Sequence, residues 1–381
     1  MYKILKKTNL YNNHISLGAK MIIYNNYHMP LQYTSSLKEH IAVREKSGIF
    51  DISHMGKLII KGEHSKELIQ YLTTNNIDKI KSGKAQYTCL VNENGGIIDD
   101  LVIYKISEKK FLLIVNSYNT NKNKKWINSY INKYNNNDVK LLDLSDKYSL
   151  LSVQGPMSLF FVQKLTNISL YKIKFYSFII SNLCDINNVL ISKTGYTGSV
   201  GIEILVKNEY VEKIWNKILF IGRNNIIPCG LSSRDSLRIE MGYRLYGQDL
   251  SENKSPIESG LSCIVDFKKP NFLSKKILKK HKKNGLYKNF ISFKVKGNNI
   301  PRTGNSLVNS KGKKIGYVTS GNYSPILKYC IGLGYLFNYK IDKTDINDIK
   351  FNYYNKDIYI LSRKKKILIT KEKIPFIKIN N

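Results

Sequence analysis

The pattern of the chain changes near residue 289, and that change limits the folds open to it. From Asn289 to Lys373, short β-rich runs (Phe290–Val295, Ile315–Thr319, Ile331–Leu336, Ile358–Leu361, Ile367–Ile369) are parted by glycine, asparagine and proline turns. Strands this short, at this spacing, predict an all-β C-terminal domain, a barrel or a sandwich. Before it, helical and strand periodicities intermingle, which predicts an α+β region. A length of 381 residues suits about two to three domains. The lysine-rich stretch from Phe267 to Asn284 reads as a solvated linker and helix.

Within the first region, Ser35 to Gly48 predicts a helix with Ser35 and Ser36 as candidate caps. A strand over Lys57–Ile60 and a short amphipathic helix over Glu63–Leu72 follow. Ala85–Val91 and Ile97–Ile106 predict strands joined by Asn92-Glu-Asn-Gly-Gly96, whose two glycines can take positive φ. Lys110–Asn116 extends this meander, and Asn121–Lys133 predicts a helix. Polar residues around Tyr134–Asp138 suggest a boundary. Ser149–Val153 predicts a strand stopped by Gln154-Gly-Pro156, with the proline in the first turn of the next helix. Asn188–Lys193 and Gly201–Val206 predict strands joined by Thr194-Gly-Tyr-Thr-Gly198. Helices are expected over Glu209–Ile221 and over Ser232–Met241, the second capped by Ser232 or Ser233.

Composition removes several classes. A hydrophobic fraction of 42% with 11% aromatics builds sizeable cores, so whole-chain disorder is out. No run approaches the roughly 18 apolar residues of a membrane-spanning helix. Cys89, Cys184, Cys229, Cys263 and Cys330 stand singly, without the spacing of a zinc site, a disulfide scaffold or an iron–sulfur cradle. This cysteine usage fits a reducing compartment. The histidines show no HExxH, and there is no nucleophile elbow, Walker loop or GxGxxG after a strand. Lys+Arg 61 against Asp+Glu 28 gives a net charge of +33. Such a field suits an anionic partner. The excess is mostly lysine spread along the chain with asparagine, isoleucine and tyrosine, as compositional bias on solvated faces also produces. Met1 to Lys7 is basic without the apolar core of a signal peptide.

The chemistry-bearing residues are acids on strands. Asp99 and Asp100 follow the Gly95-Gly96 turn, and strand alternation sends them to opposite faces. One of them must therefore face the apolar side, where an acid needs a partner or a ligand. An exposed edge with both carboxylates solvated satisfies the same pattern. Glu203 repeats the theme inside Gly201-Ile-Glu-Ile-Leu-Val206, next to a turn carrying Tyr196. Arg234 and Arg238 lie four residues apart on one helix, either as a fork for a carboxylate or amide, or in a ladder with Asp235 and Glu240. His54 has Asp51 nearby, an arrangement that is more often structural. With Tyr87, Tyr104, Tyr196 and Tyr243 among them, these residues suit a flat, hydrogen-bonding ligand better than a metal.

Nine segments then run in the order of a known family: Met29-Pro-Leu-Gln-Tyr33, Phe50-Asp-Ile-Ser-His-Met55, Asn94-Gly-Gly-Ile-Ile-Asp-Asp-Leu101, Val153-Gln-Gly-Pro156, Thr194-Gly-Tyr-Thr-Gly198 with Glu203, Pro228-Cys-Gly-Leu-Ser-Ser-Arg-Asp-Ser-Leu-Arg-Ile-Glu240, Leu245-Tyr-Gly-Gln248, Ser255-Pro256 and Thr319-Ser-Gly-Asn-Tyr-Ser-Pro325. The chain resembles the T-proteins of the glycine cleavage system, the tetrahydrofolate-dependent aminomethyltransferases. The resemblance implies an α+β, three-domain fold around a folate pocket. Its domains would be 1–55 with 147–265, 56–146, and a C-terminal β-barrel or Greek-key domain over 285–381. It implies tetrahydrofolate as co-substrate, no metal, and the lipoylated H-protein as donor, with no nucleic acid or membrane partner. By position it makes Asp100 the catalytic acid, Glu203 the pterin-binding acid and Arg234 a ligand-binding cation. Asn116, Tyr196, Tyr243, Met55, Tyr87 and Tyr104 would line the pocket. It also implies a mitochondrial location in a eukaryote, although no clear transit peptide is present, and the cytoplasm in a bacterium.

The sequence departs from the family pattern in four places. Asn26-Tyr27-His28 replaces a usual tryptophan, Ser199-Val200 an acidic pair and Cys263 an aromatic, and the terminus Ile374-Pro-Phe-Ile-Lys-Ile-Asn-Asn381 lacks a tyrosine. These changes touch pocket edges. A folate-binding iron–sulfur assembly factor of the same superfamily would carry a cysteine in Gly242-Tyr-Arg-Leu-Tyr-Gly-Gln248, which has none. A basic nucleic-acid-binding protein would need a recognisable module, and a flavin-linked demethylase would need a dinucleotide-binding domain.

Overall fold

The computed structural model describes residues 5–133, 138–285, 287–338, 357–363 and 365–379. It divides into a first unit, Met1–Thr88 with Asp100–Arg234 and Ile379–Asn381, and a second, Cys89–Asp99 with Asp235–Lys378. The expected boundary at Tyr134–Asp138 falls almost wholly outside the described residues.

The first unit is built on a six-stranded sheet in the order Phe178–Leu183, Ile186–Ser192, Gly201–Lys207, Tyr148–Gln154, Gly48–Asp51, Ile227–Pro228. Every pair is antiparallel except the last. Period-two alternation decides which side is buried. In Gly201–Lys207, Ile202, Ile204 and Val206 join one core with Val211, Ile214, Trp215 and Ile218 of the helix Asn208–Gly222, and Glu203 takes the other face. Each such side chain contributes about 1.5–3 kcal/mol through burial.

A five-stranded sheet runs Lys84–Val91, Ile97–Ser107, Lys110–Val115, Gly56–Lys61, Lys140–Asp143, with the helices Ser65–Leu72 and Thr120–Lys133 packed on it. Ile97–Ser107 is an inner strand, which rules out the solvated edge. Asp99 shows 0% exposure beside the buried Leu101 and Ile103, while Asp100 is half-buried with Val102 on the other face. In the turn before it, only Gly95 takes positive φ (81°). Gly96 is needed for closeness instead: a Cβ there would lie 1.7 Å from the Glu252 carbonyl oxygen. A third sheet, in the order Lys6–Lys7, Tyr27–Gln32, Lys20–Tyr24, has no counterpart in the sequence reading.

The second unit holds a closed barrel in the order Lys288–Val295, Tyr329–Phe337, Lys314–Ser324, Ser306–Val308, Ile358–Ser362, Lys365–Lys371. The barrel alternative therefore holds over the sandwich. Ser306–Val308, Lys314–Ser324 and Tyr329–Phe337 pair in succession and Ile358–Ser362 returns beside the first, which is Greek-key order. Phe293, Leu307, Val318, Ile360 and Ile369 fill the inside.

Several local expectations need correction. The helix expected from Ser232 begins at Leu231, so Ser233 is internal and its hydroxyl donates to Glu39 (3.0 Å) and the Gly230 carbonyl (2.9 Å) instead of capping. Ser35 precedes the helix Ser36–Glu45 but makes no side-chain cap. The helix after Pro156 starts two residues later, at Ser158, and the helix expected from Glu63 starts at Ser65.

Candidate active site

The expected site residues of the first unit form two hydrogen-bonded groups. The first surrounds Asp100. Tyr87 donates its hydroxyl to Oδ2 at 2.8 Å, and the Asn116 amide donates to Oδ1 at 2.9 Å and to the Asp100 carbonyl at 3.0 Å. Three strand positions converge here: Tyr87 from Lys84–Val91, Asp100 from Ile97–Ser107, and Asn116 just past Lys110–Val115. A carboxylate with both oxygens engaged is fixed in direction.

The second group surrounds Glu203. Thr194 Oγ1 donates to Oε2 at 2.6 Å, and the Tyr104 hydroxyl reaches the same oxygen at 3.5 Å. Ser192 Oγ lies 2.8 Å from Thr194 Oγ1, placed by the register that sets Ser192 across from Glu203. Among the described residues Oε1 takes no hydrogen bond. Burial pushes the Glu203 carboxyl above its ordinary range, while Thr194, the Arg234 charge and Tyr104 pull it back. The Arg234 guanidinium sits 4.6 Å from the centre of the Tyr196 ring, a cation–π stack that presents a flat charged surface. Tyr104 stands four residues after Asp100 on the same strand face, about 13 Å further along at the rise of a β-strand. One strand thus gives a side chain to each group, Asp100 to the first and Tyr104 to the second.

The turn Thr194–Gly198 is rigid for a steric reason. Gln154 Nε2 donates to the Thr194 carbonyl (3.1 Å), and Thr197 donates to Gln154 Oε1 (3.0 Å). A Cβ on Gly195 would meet Gln154 Oε1 at 2.1 Å, and one on Gly201 would meet the Val153 carbonyl at 2.4 Å. Both glycines exist to let Gln154 in.

Other expected residues fall elsewhere. Met55 is half-buried in the turn after Gly48–Asp51, and no hydrogen bond or ring contact joins it to either group among the described residues. Tyr243 belongs to the second unit, where its carbonyl accepts from Arg238 (2.9 Å). Arg238 is not half of an open fork. It is 1% exposed and held by Asp249 (2.7 Å), Asp235 (2.8 Å) and Ser320 (2.8 Å). His54 is buried, and desolvation with the nearby Arg234 charge brings it down to about 3, so it stays neutral. Its expected neighbour Asp51 bonds His14 instead, at 3.0 Å. Thr194 and Ser192 were not singled out from sequence. Their only signal is a hydroxyl at the strand position paired with Glu203, for Ser192, and one two residues further on in the turn, for Thr194.

Comparison with known proteins gives the family. Residues 10–269 match the family model for the GCVT N-terminal domain, and residues 288–377 match the glycine cleavage T-protein C-terminal barrel domain. An aminomethyltransferase of Flavobacterium psychrophilum is 43% identical over 98% of this chain and 100% of its own. One from Halothermothrix orenii is 40% identical over 87% of this chain and 92% of its own. The crystal structure of glycine cleavage system aminomethyltransferase T from Bartonella henselae superposes with a TM-score of 0.87 at 27% identity, covering 98% of this chain and 99% of that one. These matches favour neither the iron–sulfur assembly reading nor the nucleic-acid reading. The relatives named are bacterial and lend no support to a mitochondrial location. Among the described residues, no helix is long and apolar enough to cross a membrane. With both family models and near-full-length relatives in agreement, the chain belongs to the glycine cleavage T-protein family, the tetrahydrofolate-dependent aminomethyltransferases.

Proposed function

We propose that tetrahydrofolate lies along the half-buried face of Ile97–Ser107, its pterin at Glu203 and its N10 end at Asp100. The observation that carries this reading is the pair of acids served by one strand face. One has both oxygens fixed; the other has Oε1 without a hydrogen bond, beside the Arg234–Tyr196 stack. A pterin offers adjacent N–H and amino donors, which a carboxylate accepts side by side. The donor is the aminomethyl group on the lipoyl sulfur of an H-protein. Its carbon–sulfur and carbon–nitrogen bonds break as the folate N5 and N10 bond to carbon. The two protons leaving those nitrogens go to ammonia and to the lipoyl thiol, giving 5,10-methylenetetrahydrofolate. Asp100 orients the attacking nitrogen and stabilises the iminium-like charge. Fixed geometry supplies much of the rate.

In the same reading, Asn116, Tyr87 and Tyr104 hold the acids, while Tyr196 and Met55 border the ligand. The segments 1–55 with 147–265, 56–146 and 285–381 act as working modules. The H-protein partner and a bacterial cytoplasm complete the proposal. The test is Glu203→Gln, which turns one acceptor into a donor and costs on the order of 1–3 kcal/mol in unsatisfied polar contact. Tetrahydrofolate affinity is expected to fall roughly ten- to a hundredfold, and the thermal shift given by folate to shrink with it. An unchanged folate shift would move the pterin elsewhere.

A further inference from the structure

We propose that Thr194 is a positioning residue for the reaction: its hydroxyl pins Oε2 of Glu203 and leaves Oε1 as the oxygen that meets the ligand. The inference rests on reading Glu203 as the ligand-binding acid.

The direction of the hydrogen bonds follows from chemistry. An ionised carboxylate only accepts, so Thr194 gives its single hydroxyl proton to Oε2, at 2.6 Å. Charge-assisted bonds of this length are the strong ones. Thr194 Oγ1 is then left as an acceptor, with Ser192 Oγ at 2.8 Å and the Tyr104 hydroxyl at 3.2 Å. Burial pushes Tyr104 well above its ordinary range, so it keeps its proton to donate. Ser192 thus feeds Thr194 and Thr194 feeds Glu203, while the one proton of Tyr104 lies between Thr194 Oγ1 and Oε2 of Glu203. A free glutamate side chain has up to about 2 kcal/mol of rotamer entropy to lose, and this chain of hydroxyls removes that freedom before the ligand arrives.

Thr194 is itself held. Gln154 donates to its carbonyl at 3.1 Å, and Gln154 packs so closely on Gly195 that a Cβ there would collide with it. Its β-branched side chain has few χ1 states. The groups that act on Glu203 besides Thr194 are Arg234 and Tyr104. Both keep their protons across the range in which a carboxylate titrates. The residues across from Glu203 on the neighbouring strands, Ser152 and Ser192, carry no charge.

The experiment compares Thr194→Val, which keeps the shape and removes the hydroxyl, with Thr194→Ser, which keeps the hydroxyl. Tetrahydrofolate binding is measured against pH under anaerobic conditions, alongside a carbon-13 titration of the Glu203 carboxyl in ligand-free protein. Thr194→Val is expected to raise the Glu203 midpoint, because a hydrogen bond that favours the charged form is lost. It should weaken tetrahydrofolate by about tenfold at neutral pH, the equivalent of 1.4 kcal/mol. The loss should appear in KM, with kcat at saturation within a few-fold of the parent. Thr194→Ser should match the parent in both readouts. A folded Thr194→Val protein with unchanged midpoint and unchanged affinity overturns the positioning role alone. So does a Thr194→Ser protein as impaired as Thr194→Val, since the turn and not the hydroxyl would then matter. A parent protein that binds no tetrahydrofolate overturns the folate reading of Glu203 and the positioning role with it.

Discussion

Asp100 receives two donors of different strength of purpose: the Asn116 amide ties it to its own backbone, and the Tyr87 hydroxyl, at 2.8 Å, reaches it from the next strand. Replacing the acid keeps that frame while removing the charge. Asp100→Asn is therefore expected to bind folate with a modest loss and to transfer carbon far more slowly. Losing a preorganised charge stabiliser typically costs about 3–4 kcal/mol, or a factor of 10²–10³ in kcat. Single-turnover rates with aminomethylated H-protein check this; a mutant within threefold of the parent would remove Asp100 from the chemistry. The strand pattern made it legible that the two adjacent aspartates face opposite ways. It did not reveal that Asp99, at 0% exposure, would be the deeper of the two. Asp99 is thus no harmless control, because a change there acts on a buried group.

At the scale of elements, one buried network ties the helix Tyr11–Ser16 to the strand Gly48–Asp51. His14 Nε2 lies 3.0 Å from Asp51 Oδ2, Tyr33 Oη lies 2.9 Å from His14 Nδ1, and the Ser53 amide donates to Asp51 Oδ1 at 2.9 Å. Burial pushes the Asp51 carboxyl up, but the His14 bond and charge, with Ser53 and Thr8, outweigh it and hold it at about 2. A depressed carboxyl stabilises the fold above its unfolded value near 3.9, and that contribution is lost as pH falls toward 2. Asp51→Asn should destabilise by about 3–5 kcal/mol, the cost of breaking a buried pair, and urea unfolding should show a weaker acid dependence below pH 4 than the parent does. An equal acid dependence in both would clear Asp51 of this role. Neither His14 nor Thr194 was legible as a functional partner in the sequence, and for one reason. Both act through register and packing between distant segments, and period-two or helical patterns do not encode these. Long strands such as Gly201–Lys207 announced themselves through Ile202, Ile204 and Val206. The three-residue strand Ser306–Val308 and the Lys20–Tyr24 and Tyr27–Gln32 pair did not, being too short or without a polar–apolar alternation to show a period.

For the molecule as a whole, the net charge of +33 makes buried lysines costly. Lys57 is 0% exposed with Nζ on the Ser53 carbonyl at 2.7 Å, and desolvation, only partly offset by Asp51, lowers it to about 8. Lys254 is lowered to about 8 in the same way, with Asp249 opposing. The unfolded chain keeps these protons to about 10.4, so between pH 8 and that value these two lysines contribute a stability that rises with pH. The buried thiols of Cys184, raised to about 11, and of Cys229 and Cys330 act in the opposite sense within the same window, because the unfolded chain gives up thiol protons from about 8.5; burial holds Tyr33, Tyr104 and Tyr335 above their ordinary range, and they join in more alkaline solution. Urea unfolding at two alkaline pH values should give a stability slope with pH that is less positive in Lys57→Met than in the parent; an identical slope in both would contradict the burial of the Lys57 charge. The most direct measurement of the central claim is a transfer assay with the purified protein, tetrahydrofolate and H-protein carrying a carbon-13 aminomethyl group on its lipoyl arm. The account predicts that the label appears in 5,10-methylenetetrahydrofolate, with one ammonia and one free lipoyl thiol pair per label, and that the transfer collapses in Asp100→Asn. Label that stays on the H-protein, or leaves as formaldehyde at the same rate with and without folate, would contradict it.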